Sequence, residues 1–446
     1  MKLSSSPSSA DSPRADPGGD RPVAGSMGTP LTWSSRLGPI GVQGVAWLLG
    51  AFIFFNPIPH TTAVKEILFY ASLGAFLCLA AGRVVRPGLR SPFSWLFLLI
   101  VLWGLAGLGF ALDRGNSLHD LFVHLIKLMV LYLLLVQFFP SRRHVEWLHA
   151  VVVLSVTLFC VGGLVYYYVI LGHDLTERFG HSLRYSFYEM SANYMGYSTV
   201  FAASLALASA LREQRRALRI GFGLCFLILV VATLLTQTRG AILALLLVII
   251  VPLLSEKRWV LLGALILFCL GTLMATGKSD RFDARQFLHN ERLGTSLMYL
   301  ELVKDHPVTG IGFGMELLQQ KEFLEPYYNR VPKEYRDPAF RVSPHSLYLD
   351  VTVRLGVVGL VLYLAVIATA LRLLVRTLRG ATDGWLRGEA LCLLAAFAAY
   401  LLQALFADAS FGSPAVVFYL QLALITILYR LVPAPPSAIA HETPPR

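Results

Sequence analysis

The residues best suited to chemistry stand at the ends of apolar runs. His345 follows Ser343-Pro344 and opens one such run. An imidazole with an unperturbed pKa of about 6.5 can accept a proton from a hydroxyl. Pro344 biases Ser343 toward extended backbone and suits a first helical turn, so it fixes where His345 points. The same spacing fits an interfacial histidine that only caps a helix, and spacing alone leaves both readings open. Arg239, in Thr236-Gln237-Thr238-Arg239-Gly240, is squeezed between two apolar stretches. Its planar fork of donors suits phosphate oxygens, whereas a headgroup anchor needs only charge on a long stem. Arg292, Arg184 and Arg341 lie in hydrophilic segments and could join it; several arginines on one side of a membrane would hold a diphosphate. Asp120, His124 and Lys127 fall at i, i+4 and i+7, on one face of a helix. That face reads as a proton relay or, preferably, as a mutually satisfied polar stripe, since relays spread such groups over several helices.

These side chains need elements to position them. The 446 residues are 56% hydrophobic and only 15% charged, below the roughly 25% of soluble domains. Apolar stretches long enough to cross a ~30 Å hydrocarbon core recur along the chain. Spans are expected near 38–56, 64–82, 93–112, 118–139, 147–171, 191–211, 218–236, 239–254, 259–277, 346–371, 386–407 and 412–431. The fold class is therefore an all-α membrane protein of about twelve transmembrane helices. Residues 36–431 form the polytopic domain; 1–35 and 432–446, rich in Ser, Pro, Asp or Gly, are expected to be disordered cytoplasmic tails. Lys and Arg concentrate in alternate connectors, which places both termini in the cytoplasm. The net charge of +11 follows that alternation rather than one face, which argues against nucleic acid as a partner.

One connector is long. Residues 278–345 form a large loop on the extracytoplasmic side, and spaced apolar residues over Phe282–Asp305 fit a helix lying on the membrane surface. The Gly-x-Gly-x-Gly run at Gly310, Gly312 and Gly314 follows no strand and lies outside the cytoplasm, so it reads as a turn rather than a nucleotide loop. The five cysteines lie inside apolar spans and read as small buried hydrophobes. There is no Asp-x-Asp motif and no His/Cys cluster, so neither a metal nor a cofactor is expected.

In combination these features resemble the O-antigen ligases and their relatives, the O-antigen polymerases and O-linked oligosaccharyltransferases. The likeness spans roughly residues 190–375. It rests on Arg239-Gly240 starting a span, Arg292 ahead of a surface helix, Asp305-His306-Pro307-Val308-Thr309-Gly310-Ile311-Gly312-Phe313-Gly314, His345 opening the next span, and Leu355-Gly356-Val357-Val358-Gly359. The chain departs from the family in having Ser346 where an Asn is usual after the histidine, and Arg354 where a Glu is usual. The family's surface-helix arginine falls nearer Thr295, one turn beyond Arg292. The resemblance implies a metal-independent inverting glycosyltransferase in the bacterial inner membrane with its active site facing the periplasm. It would move a glycan from undecaprenyl diphosphate to a sugar hydroxyl of the lipid A–core. On this reading His345 is the base and Arg239 with Arg292 holds the diphosphate; Arg184, Arg341, Lys127 and His124 are further substrate-binding candidates. Polymerase or protein O-oligosaccharyltransferase activity differs only in acceptor. A transporter or lipid-carrier flippase is the rival of another class, weakened because no inverted repeat of broken helices is evident.

Overall fold

The computed structural model describes residues 33–88, 90–180, 191–275, 291–336, 338–340 and 342–433, with the side chains of 33–39 and 291–292 left aside. Arg184, Arg341 and most of both expected tails lie outside the described residues. Every apolar stretch is helical, as it must be where lipid offers no partner for backbone N–H and C=O groups. The helices are α1 (Trp33–Phe55), α2 (Thr62–Ala81), α3 (Ser94–Gly107), α4 (Arg114–Phe138), α5 (Arg142–Ile170), α6 (Ala192–Arg212), α7 (Arg216–Leu235), α8 (Arg239–Ser255) and α9 (Trp259–Ala275). They continue with α10 (Glu291–Asp305), α11 (Lys321–Arg330), α12 (Leu347–Gly380), α13 (Gly384–Gln403) and α14 (Gly412–Arg430). Among the described residues there is no strand.

Eight of these helices are long and apolar enough to cross a membrane; α3, α8, α9 and the part of α1 from Ile40 are apolar but shorter. Helices α14 and α6 form the centre, with 83% and 78% of their apolar windows buried, whereas α2 is only 11% buried. The outer surface carries large exposed apolar side chains such as Trp95, Val260, Leu267 and Met274. A contiguous apolar exterior of this extent is a lipid-facing surface. The chain is a multi-pass helical membrane protein.

Several boundaries differ from the sequence reading. Helix α1 begins at Trp33, inside the expected tail, and α3 stops at Gly107 rather than near 112. Within α4, residues Leu121–Ile126 form a π-helical segment. Its wider turn rotates Lys127 away from Asp120 and His124. Lys127 instead pairs with Glu66 on α2 and sits 5.3 Å over the Phe69 ring. The single polar stripe is thus two separate partnerships.

The largest difference lies in α12, which breaks at Gly356 (φ +66°, ψ −173°). A break strands carbonyls that a continuous helix would have satisfied. Here the glycine run meets them: Ile311 N donates to Val353 O at 2.9 Å, Gly312 N to Arg354 O at 3.2 Å, and Val357 N to Pro307 O at 2.9 Å. The Trp103 indole on α3 takes Leu355 O at 2.8 Å. Contact this close excludes side chains; a Cβ on Gly356 would lie 1.9 Å from Val308 O, and one on Gly310 2.4 Å from the Arg354 carbonyl carbon. The strand of chain then docks on the start of α4, where Gly314 N, Met315 N and Glu316 N donate to Ser117 Oγ, Asp120 Oδ2 and Asn116 Oδ1. The expected turn therefore locks a cap, formed by α10, α11 and their connections, onto one end of the bundle.

Gly356→Ala should be destabilising by at least about 2 kcal/mol, since it combines a left-handed backbone with a backbone clash. Gly74→Ala on α2 meets nothing within 4 Å and serves as the control. Thermal unfolding in detergent reads both; equal midpoints for the two variants would refute the lock.

Candidate functional site

At the cap end, the chain between α13 and α14 makes a tight turn over residues 404–411 on which several expected site residues converge. Small residues bring α8 against α13: a Cβ on Gly240 would lie 3.5 Å from Phe406 Cδ2 and 4.0 Å from Gln403 Cα. That contact seats Arg239, the first residue of α8 and half-buried, beside the turn. From the other side, Leu347 N at the start of α12 donates to Ala404 O at 2.9 Å. Tyr197 and Tyr400 hydroxyls brace the turn through Ala407 O (3.2 Å) and Ala409 O (3.3 Å). Arg239 and His345 therefore abut one short segment although 106 positions separate them.

His345 does not continue the helix. It adopts φ +51°, rare for a residue with a Cβ, and Ser346 stands extended before α12 begins at Leu347. Residues held in such sparsely populated conformations concentrate at functional sites. Upstream, Tyr299 of α10 donates to Val342 O, which ties this segment to the cap. Ser343 Oγ lies 3.3 Å from His345 Nδ1 and donates to Asp408 Oδ2, while the His345 backbone N–H also faces that carboxylate. Asp408 Oδ1 is buried and has no partner among the described residues. Burial, and after it the nearby Asp350 carboxylate, push Asp408 up to about 6 against the opposing pull of Ser343 and Arg354.

Next to it lies a buried ion pair within the short arm of α12 before its break. Arg354 Nε donates to Asp350 Oδ1 at 2.9 Å, and both side chains are under 5% exposed. Ser410 donates to the other Asp350 oxygen, Arg354 NH1 reaches Phe313 O at 3.1 Å, and the guanidinium lies 3.8 Å over the Phe411 ring. Arg354, where the resemblance leads one to expect a glutamate, is thus paired with an aspartate one turn earlier. A mainly apolar cavity runs from this pair between α3, α4, α12 and α14, with His124, Asp350 and Arg354 as its polar end.

His124 packs edge-on to Phe411 at 4.8 Å and lies 3.9 Å from Asp120 Oδ1. Asp120 accepts from the cap and Lys127 bonds Glu66, so the three groups do not form the single line that a relay along this helix would need. Arg292 stands in the first turn of α10 with its side chain undescribed. Thr295, nearer the family arginine's place, is buried with its hydroxyl unpartnered among the described residues. Sequence reasoning missed Asp408 and Asp350. A usable signal existed: Asp408 is the one charged residue between Glu389 and Arg430, and ionisable groups in apolar stretches are costly unless used.

The fold and this cluster make a candidate site at the cap end of a multi-pass helical bundle. Residues 224–364 match the family model described as O-antigen ligase, which bears out the resemblance drawn from the motifs. Over that segment, about a third of the sequence, the chain is similar to a family whose members are glycosyltransferase-like ligases and polymerases of lipid-linked glycans. The matched segment holds Arg239, Arg292, the glycine run, His345 and the α12 break; the 404–411 turn and His124 lie outside it. No curated protein matches the chain.

Asp408 supplies a pH test. Its pKa lies above the ordinary carboxylate value, so the folded state holds its proton more tightly than the unfolded chain. The stability from that proton is therefore greatest below pH 4 and is lost as pH rises through about 6. Asp408→Asn should be more stable than the parent at pH 7.5, by on the order of 1–3 kcal/mol, and the gap should shrink by pH 5. A gap that does not change with pH would remove the buried, proton-holding carboxyl.

Proposed function

We propose that the protein is an O-antigen ligase: a metal-independent inverting glycosyltransferase of the bacterial inner membrane, working on its periplasmic face. It transfers a glycan from undecaprenyl diphosphate to a sugar hydroxyl of the lipid A–core. The observation that carries this reading is the meeting of Arg239 and His345 on the 404–411 turn, beneath a polar cap and beside an apolar exterior that lipid-borne substrates can reach laterally.

In the reaction, His345 accepts the acceptor hydroxyl proton as the oxygen attacks the anomeric carbon opposite the diphosphate. The bond from that carbon to the phosphate oxygen breaks, and undecaprenyl diphosphate leaves with the electron pair. Arg239 offsets the growing negative charge, with Arg292, Arg184 and Arg341 as further cationic candidates. Asp408, through Ser343, orients the imidazole.

Reconstitution with an undecaprenyl-diphosphate glycan and a set of acceptors tests the reading. Modification of lipid A–core is expected; extension of a second lipid-linked glycan, or labelling of a protein, would instead assign a polymerase or an oligosaccharyltransferase. His345→Ala should slow transfer roughly 10²–10⁴-fold while donor binding persists; near-normal turnover would remove His345 from the mechanism. Arg239→Lys keeps the charge but loses the fork, and should lose at least about tenfold, or roughly 1.4 kcal/mol of transition-state stabilisation. Full activity in Arg239→Lys would return Arg239 to the anchor role.

A further inference from the structure

The turn that launches Arg239 is built by a different part of the chain. Helix α7 ends at Leu235, and its last carbonyls require partners. The segment Thr176–Phe179, from the connector after α5, supplies them. Phe179 N donates to Leu235 O at 3.0 Å, and Arg178 Nε donates to Thr236 O at 2.8 Å. In return, Gln237 Nε2 donates to Thr176 O at 2.9 Å. Gln237 is only 2% exposed and is held at φ +46°, a left-handed conformation that isolated chain would abandon.

Arg178 also determines how α8 begins. Thr238 occupies the N-cap position, where a threonine hydroxyl ordinarily accepts from an N–H of the first turn. It makes no such bond here. Its Oγ1 accepts instead from Arg178 NH2 at 3.0 Å, and the same nitrogen lies 3.4 Å from Asn193 Oδ1 at the start of α6. One guanidinium thereby joins the end of α7, the cap of α8 and the first turn of α6, immediately before Arg239. A lysine could satisfy one of these acceptors at a time, not the set.

We infer that Arg178 is a positioning residue for Arg239: it fixes the Thr236–Thr238 turn so that the Arg239 fork meets the donor diphosphate. The inference rests on the proposed function. It assigns Arg178 to donor binding rather than to the proton transfer at His345, because a displacement of about 1 Å in a binding group costs up to about 10²-fold.

The test measures binding of undecaprenyl diphosphate to the detergent-solubilised full chain, for the parent, Arg178→Lys, Thr238→Val, Arg239→Lys and the Arg178→Lys/Arg239→Lys double variant. Expected are about tenfold weaker binding in Arg178→Lys and several-fold in Thr238→Val, which removes the acceptor without touching the arginine. In transfer assays KM for the donor should rise more than kcat falls. The double variant should bind no more than about twofold more weakly than Arg239→Lys alone, as required if Arg178 acts through Arg239. Multiplying losses in the double variant would overturn the inference, as would parental affinity in both Arg178→Lys and Thr238→Val. A merely structural arginine would lower thermal stability and leave the affinity of the folded protein intact, which also overturns it. A parent that does not bind the diphosphate would overturn the proposed function, and this inference with it.

Discussion

The constraint on which the rest of the molecule depends is the fate of three backbone carbonyls. At membrane depth, an unsatisfied carbonyl costs several kcal/mol and has no water to turn to. The break at Gly356 creates three at once, on Val353, Arg354 and Leu355, and they are met by Ile311 N, Gly312 N and Trp103 Nε1. The two glycine motifs are therefore one structural device. Gly356 permits the break, and Gly310 and Gly312 let a second backbone approach closely enough to satisfy it. Without either partner the other would be an unpaired backbone in an apolar setting.

That device explains why the short arm of α12 can carry charge. Residues Leu347–Leu355 stand as a separate helical piece, offset from the long arm and covered by the cap. Asp350 and Arg354 lie on it one turn apart, paired with each other and hydrogen-bonded by Ser410 and Phe313 O. A buried pair of this kind contributes little net stability relative to apolar packing, because desolvation offsets attraction. Its consequence is specificity of position. Each group bonds a different element, so arm, cap and the 404–411 turn have one arrangement in which both Asp350 oxygens and the Nε and NH1 of Arg354 are met.

How much of this was legible in the sequence follows from the range of the interactions concerned. Helical stretches are local matters of length and hydropathy, and most expected spans coincide with helices to within about five residues; α12 instead breaks at Gly356 and runs on to Gly380. Arg239 and His345 were visible because a polar residue at the edge of an apolar run stands out without tertiary information. The break in α12 was not, because Leu355-Gly356 within an apolar stretch is compatible with a continuous membrane helix until another backbone presses against it. The Asp120, His124 and Lys127 pattern failed for a related reason. Its periodicity assumed an α-helical turn, and the π segment that changes the register has no signature in the residues themselves. Asp408 lay in plain view, but its meaning depends on Ser343, which is 65 positions away.

On the proposed reading, the base and the anion-binding group are held by opposite strategies, and the chemistry gives a reason. A diphosphate carries its charge before, during and after transfer, so its partner gains from standing on a rigid helix start, as Arg239 does. A base must take up a proton and release it, and so must tolerate a change of charge. His345 sits outside the helix, on a left-handed residue between an extended segment and α12, with a hydroxyl and a carboxyl as neighbours. Because the Ser343 hydroxyl donates to Asp408, it accepts from Nδ1–H of the ring, so that Nε2 is the nitrogen that takes the proton. On that reading the acceptor proton enters at Nε2 while Nδ1–H keeps its bond to Ser343, so the ring need not turn as its charge changes.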